Sequence, residues 1–263
     1  MAITVLGLIG LWQFVVMVSE APPYLLPGPL AVLKAWIAWR NIILGHAGVT
    51  LAEIVIGLLV GTTVGIASAT IIAQVRPARR WLLPVLVISQ AIPVFAIAPL
   101  LVLWLGYGMA SKIAMAALII YFPVTASFLD GLRRTDPGWL DLAQTMTAGV
   151  SVRRWRGAWA ALRHVRMPAA LPALASGVRV AAAVAPIGAV VGEWVGSSAG
   201  LGYLMLHANA RVQIDVMFAA LITLAAIAVA LYFTVDWTMR CLLPWQSDTL
   251  PGDELKGVAR QHG

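Results

Sequence analysis

Six stretches of this chain are long and apolar enough to cross a bilayer, whose hydrocarbon core takes about 20 residues of helix. They cover roughly 3–18, 49–72, 81–105, 113–129, 169–191 and 216–233. Lipid offers the backbone no hydrogen-bond partners, so such stretches must satisfy their N–H and C=O groups internally as helices. Composition agrees. Sixty-one per cent of the 263 residues are hydrophobic and 11% charged, against about a quarter charged in soluble domains, so a water-soluble fold could not cover this much apolar side chain. The expected fold is an all-α polytopic membrane protein with about six transmembrane helices.

Along the chain, residues 1–43 read as a first transmembrane helix and an interfacial segment. That segment is the proline-rich turn Pro22–Pro29 followed by an amphipathic helix over about 31–43. Residues 44–240 read as a five-helix transmembrane domain and 241–263 as a tail. The first span starts almost at Met1 without a basic leader, and Glu20-Ala21-Pro22-Pro23 is a poor cleavage site, so it reads as a retained span. Trp81 and Trp104 bracket the third span, about 35 Å apart on one helix, which suits rings in the two headgroup belts. The chain shows no internal repeat and no inverted symmetry.

Position matters more than size in the net charge of +7. Between Leu132 and Pro168 lie Arg133, Arg134, Arg153, Arg154, Arg156, Arg163 and Arg166. With six spans and the N-terminus inside, these join Arg76, Arg79, Arg80, Arg240, Lys256 and Arg260 on one side. Lys34, Arg40, Lys112 and Arg211 fall on the other. Thirteen against four is the positive-inside pattern, and it puts both termini and the 132–168 loop in the cytoplasm. Charge distributed in this way argues for membrane topology rather than for nucleic acid. A single cysteine, Cys241, rules out an internal disulfide.

Catalytic signatures are missing. Gly106-Tyr107-Gly108-Met109-Ala110-Ser111-Lys112 has serine where a phosphate loop needs its second glycine. His46, His164, His207 and His262 are scattered, and neither HExxH, paired cysteines nor GxSxG occurs. The chain is expected to be no enzyme, with no catalytic residue, no metal site and no cofactor of its own. Other residues stand out for packing or charge. Gly57, Gly61 and Gly65 recur every four residues, which lets a neighbouring helix backbone approach closely, either within the chain or at a subunit contact. Arg179 and Glu193 place charge in or near the fifth span, where it is expensive and marks a pairing or pathway role. At 14 residues apart, about 21 Å along a helix, they cannot pair with each other. Glu53 reads as an interfacial charge at the outer end of the second span.

These residues resemble the permease subunits of type I ABC importers, in the group that includes the sulfonate, taurine, nitrate and thiamine-precursor systems. Leu26-Pro27-Gly28-Pro29 is similar to an early Leu-Pro-x-Pro. Ile92-Pro93-Val94-Phe95-Ala96-Ile97-Ala98-Pro99-Leu100 with Leu103-Trp104-Leu105-Gly106 resembles the third-span signature. Glu193-Trp194-Val195-Gly196-Ser197-Ser198-Ala199-Gly200-Leu201-Gly202-Tyr203-Leu204 resembles the segment after the fifth span. The basic loop looks like the family's ATPase-coupling loop. Asp141-Leu142-Ala143 stands at its acidic start, Thr147 at the usual glycine position with Gly149 two residues later, and Met167-Pro168 at its end. Thr147 to Pro168 spans 21 residues where the family has about 13, so some eight extra residues fall within about 150–159.

The resemblance implies a half-transporter. Two copies, or this chain and a similar one, would form the pathway, a pair of ATPase subunits binding ATP and Mg would drive it, and an external solute-binding protein would deliver the cargo. Within the group, 192–220 most resembles permeases for hydroxymethylpyrimidine-type thiamine precursors. Sulfonate, taurine or nitrate is the alternative cargo. The basic loop could also anchor membrane lipid through its arginines. From another class, the rival is a secondary transporter without ATP, which would show broken helices or polar groups near mid-membrane in corresponding halves.

Overall fold

The computed structural model describes residues 2–147 and 159–245, and among them every regular element is helical. In chain order these are α1 (Ala2–Ser19), α2 (Pro29–Gln74), α3 (Arg76–Ala91), α4 (Val94–Leu105), α5 (Met109–Arg133), α6 (Pro137–Thr147), α7 (Trp159–Gly196), α8 (Leu201–Ala210) and α9 (Ile214–Leu242). By length and apolarity α2, α5, α7 and α9 can cross a membrane, and α4 and most of α1 are shorter apolar helices.

At the centre α5 lies between α2 and α7, and glycines on both sides make the contact. A Cβ placed on Gly57 or Gly61 of α2 would come within 2.5 Å of Ala116 Cβ or 2.7 Å of Ile120 Cγ2, and one on Gly65 within 2.9 Å of Val124 Cγ1. From the opposite side, a Cβ on Gly188 of α7 would lie 2.7 Å from Ala116 Cα, and one on Gly177 2.7 Å from the Pro123 carbonyl. Lipid is as apolar as the helices, so close backbone approach and van der Waals contact hold the three together. Ile54, Ile120, Val124, Ala181, Ala182 and Ala185 fill the middle of this layer. Phe128, Leu132 and Leu162 close the end that carries the 132–168 segment, here the loop end. At the far end, Ile43, Ala47, Leu201, Met205, Val216 and Ala220 join α2, α8 and α9. The α1 helix is held there by Trp12, stacked on Phe218 at 6.0 Å.

Three elements differ from the sequence expectation. The interfacial helix and the second span are one helix of 46 residues, about 69 Å long. The pair Gly45 and Gly48 does not interrupt it, because Ile43, Ala47, Thr50 and Ile54 continue a single buried stripe through the glycines. The 43/44 boundary therefore falls inside a helix. The expected third span is two helices with a break at Ile92-Pro93, where proline has no N–H to continue the ladder. Trp81 and Trp104 are thus not on one straight rod. Finally, the fifth span begins ten residues early. α7 runs from Trp159, and its turn over Leu162–Arg166 is a π-helix. There the Met167 N–H reaches back to the Leu162 carbonyl. In a regular helix the Pro168 ring would press on the His164 carbonyl, and the widened turn relieves that conflict.

Candidate functional site

Two sites occupy opposite ends of the bundle. At the loop end, α6 starts at Asp136-Pro137. The Asp136 carboxylate accepts the Gly138 N–H at 2.7 Å, and proline at the first helical position loses no bond. Asp141, expected to open this helix, instead lies in its second turn. Trp139 and Leu142, three residues apart and therefore neighbours on the helix surface, are 65% and 58% exposed. The Arg166 guanidinium donates to the Leu132 carbonyl at 2.8 Å, tying the start of α7 to the end of α5. Met167 is half-buried against the loop-end core and Pro168 is exposed. Ala143 and Thr147 belong to α6. Gly149, the extra residues of 150–158, Arg153, Arg154 and Arg156 lie outside the described residues.

At the far end the structure assembles a polar network inside the apolar bundle. Glu53 of α2, Lys112 of α5 and Glu193 of α7 are 0%, 6% and 1% exposed. Lys112 Nζ donates to Glu53 Oε1 at 2.8 Å. The Glu193 carboxylate faces this pair. Its Oε1 accepts the Thr50 hydroxyl at 2.6 Å, and its Oε2 accepts the backbone N–H of Gly202 and, at 3.4 Å, that of Tyr203. Thr50 Oγ1 in turn accepts the Leu201 N–H at 2.8 Å, and His46 Nδ1 accepts the Gly200 N–H at 2.9 Å. A helix leaves its first N–H groups without partners, and a negative charge there is favoured by the helix dipole. Three side chains from α2 and α7 supply these partners for α8. Because His46 Nδ1 is an acceptor, its ring proton sits on Nε2.

The glycines of Gly200-Leu201-Gly202 have a specific cause. Gly200 takes φ +116°, and a Cβ on it would overlap the Glu193 carboxylate; a Cβ on Gly202 would lie 2.8 Å from Glu193 Oε2. Both leave room for the carboxylate to reach the backbone.

Arg179 is not part of this network. Its Nε lies 2.6 Å from Asp236 Oδ1 on α9, and Asp236 also holds Arg240 at 3.0 Å. Arg179 therefore pairs with another helix, and Glu193 with the start of α8.

The Glu193 segment, the break at Ile92-Pro93 and the glycine-packed helices together suggest one kind of membrane protein, and comparison identifies it. Residues 57–247 match the model of the binding-protein-dependent transport system inner membrane component. This chain belongs to that family. It is 56% identical over 232 residues, 88% of this chain and 91% of the relative, to a probable ABC transporter permease protein of Haemophilus influenzae. It is 34% identical to the formylaminopyrimidine transport permease of Halalkalibacterium halodurans, with 85% and 87% covered. To the riboflavin transport system permease of Chloroflexus aurantiacus it is 35% identical, with 93% and 89% covered. The chain is thus an ABC transporter permease, a multi-pass, non-catalytic subunit of a binding-protein-dependent importer. Family membership also decides against the ATP-independent rival.

Two expectations about charge are corrected. Glu53 is a fully buried partner of Lys112 rather than an interfacial charge, and Lys112 is buried rather than a loop cation. The pair is 59 residues apart in sequence. Its one legible sign was a pair of opposite charges at the starts of two apolar runs. Thr50, His46 and Asp236 had no such sign, since a single polar residue near the edge of an apolar run is ordinary.

Proposed function

We propose that two copies of this permease form the pathway for a planar nitrogen heterocycle, a thiamine-precursor pyrimidine first among them. The supporting observation is that relatives of similar identity are named for formylaminopyrimidine and for riboflavin, both flat heteroaromatic molecules. An external binding protein delivers the solute at the far end. An ATPase pair, which holds ATP and Mg, docks at the loop end, on the cytoplasmic side with both termini.

The docking surface in this reading is α6 with its flanks: Asp141, Leu142, Ala143, Thr147, Gly149, Met167 and Pro168. The uncovered Trp139 and Leu142 suit a partner cleft, and the Arg166 guanidinium joins α7 to the Leu132 carbonyl of α5 at the same end. A further feature supports pairing of two copies. The helix α7 is packed on most sides, yet Ser176, Val180, Ala183, Ile187 and Trp194 form an exposed stripe at spacings of three, four and seven. Arg179, beside this stripe, borders the pathway, while Gly57, Gly61 and Gly65 serve packing within the chain.

Uptake of radiolabelled hydroxymethylpyrimidine by cells carrying the complete transporter tests the substrate. Excess unlabelled pyrimidine should abolish uptake and taurine should leave it unchanged. Taurine transport without pyrimidine transport would overturn the substrate class and leave the importer assignment standing.

A further inference from the structure

The α8 helix has an unusual place in this fold. It is ten residues long, folded into the far end against α2, α7 and α9, and bounded on both sides by residues with left-handed backbone. Gly200 precedes it at φ +116° and Val212 follows it at φ +58°. Val212 occupies the left-handed position of a helix-ending motif in which its N–H reaches the Asn209 carbonyl at 3.0 Å and the Gln213 N–H reaches the Ala208 carbonyl at 2.9 Å. Glycine is the usual residue there. A β-branched residue at positive φ is strained, and such strain persists where the surrounding structure enforces it.

What holds the opposite end of α8 is the polar network. Burying three charged groups is costly in an apolar bundle, and here one carboxylate spends both of its oxygens on α8 and its tether. Lys112 and Glu53 stand behind Glu193, and Thr50 links the carboxylate to the Leu201 N–H. The helix is therefore set off at each end by a residue of positive φ, and its N-terminus is fastened by side chains of α2 and α7. We propose that Glu193 and Thr50 are positioning residues for transport, forming a latch that fixes α8 across the far end of the bundle and lets go when the pathway opens there. The proposal rests on the reading that this chain forms the pathway. Neither residue needs to touch the solute.

Two cysteine reporters test the latch in a Cys241→Ser background, in permeabilised membranes so that sidedness does not enter. Ala208→Cys reports on the buried face of α8 and Ala175→Cys on the α7 interior; both alanines are buried. With the latch intact both should react slowly with a water-soluble thiol reagent. Thr50→Val keeps the shape and removes the hydroxyl, and Glu193→Gln keeps the size and removes the charge. In either, the reporter at 208 should react roughly tenfold faster, the change expected when a hydrogen bond to a charged group is lost from a local opening equilibrium. The reporter at 175 should be unchanged. Thr50→Ser should restore the slow rate, and solute uptake should follow the latch at constant membrane abundance. Equal rates at 208 in Thr50→Val and Thr50→Ser, or a parallel rise at 175, would overturn the proposal. If Glu193→Gln fails to accumulate, the threonine pair decides alone. A latch that responds as stated in a chain that supports no uptake would count against the pathway reading and not against the latch.

Discussion

At the scale of single residues, opposite charges carry the risk in this molecule. Lys112 and Glu53 neutralise one another where neither meets water, so removing one partner leaves a bare buried charge. Lys112→Met should cost about 3–5 kcal/mol, and adding Glu53→Gln should recover much of that loss, because replacing both partners removes the orphan. Thermal denaturation of the detergent-solubilised chain measures both variants. Arg179 and Asp236 are less buried, with side chains 25% and 18% exposed. Strain at Val212 gives a prediction of opposite sign. Val212→Gly should raise the melting temperature by the equivalent of about 1 kcal/mol, since glycine takes positive φ without the Cβ clash. An unchanged or lower melting temperature would show that Val212 side-chain packing outweighs the backbone conflict.

At the scale of elements, glycines of one helix do different work. Gly61 faces Ile120 with no room for a methyl group, whereas Gly48, thirteen residues earlier on the same helix, has nothing within 4 Å of a built Cβ. Gly61→Val should destabilise by about 1–3 kcal/mol through overpacking. Gly48→Ala should stabilise by roughly 0.5–1 kcal/mol, because alanine is the better helix former and meets no neighbour. Thermal unfolding of the two variants side by side checks the contrast, and equal effects would mean that α2 does not pack on α5 through this face. The boundaries of α6 show the same local logic. Asp136-Pro137 is a legible helix start, an acceptor followed by a residue with no N–H, and it outweighs Asp141 as the signal for where the helix begins.

At the scale of the molecule, the charge asymmetry predicts the orientation. Arg153→Cys and Ser198→Cys, each in a Cys241→Ser background, should separate on intact cells treated with a membrane-impermeant thiol reagent. Labelling at 198 and protection at 153 is the expected pattern, and the reverse would invert the whole topology. Deleting 150–157 asks whether those residues are an insertion into the coupling segment. ATPase co-purification and uptake should both survive the deletion if they are, and both should be lost if those residues form the docking surface.

How much of this was readable beforehand divides along one physical line. Hydrophobic length, charge asymmetry and glycine spacing are properties of neighbouring residues, so the sequence by itself determined the membrane class, the all-α fold and the family resemblance. It also singled out Glu193, because charge inside an apolar run is costly wherever the chain goes. What it could not determine was what that cost sustains. The partners of Glu193 come from Thr50 and from the backbone of Gly202 and Tyr203, and those of Lys112 and Arg179 from Glu53 and Asp236. These contacts cross between helices, so they exist only after α2, α5, α7 and α9 have packed. The same packing carries α2 through Gly45 and Gly48 as one helix and keeps Pro84, Pro99, Pro123, Pro172 and Pro186 inside helices, whereas the chain breaks at Ile92-Pro93, so a missing N–H alone does not decide where a helix stops.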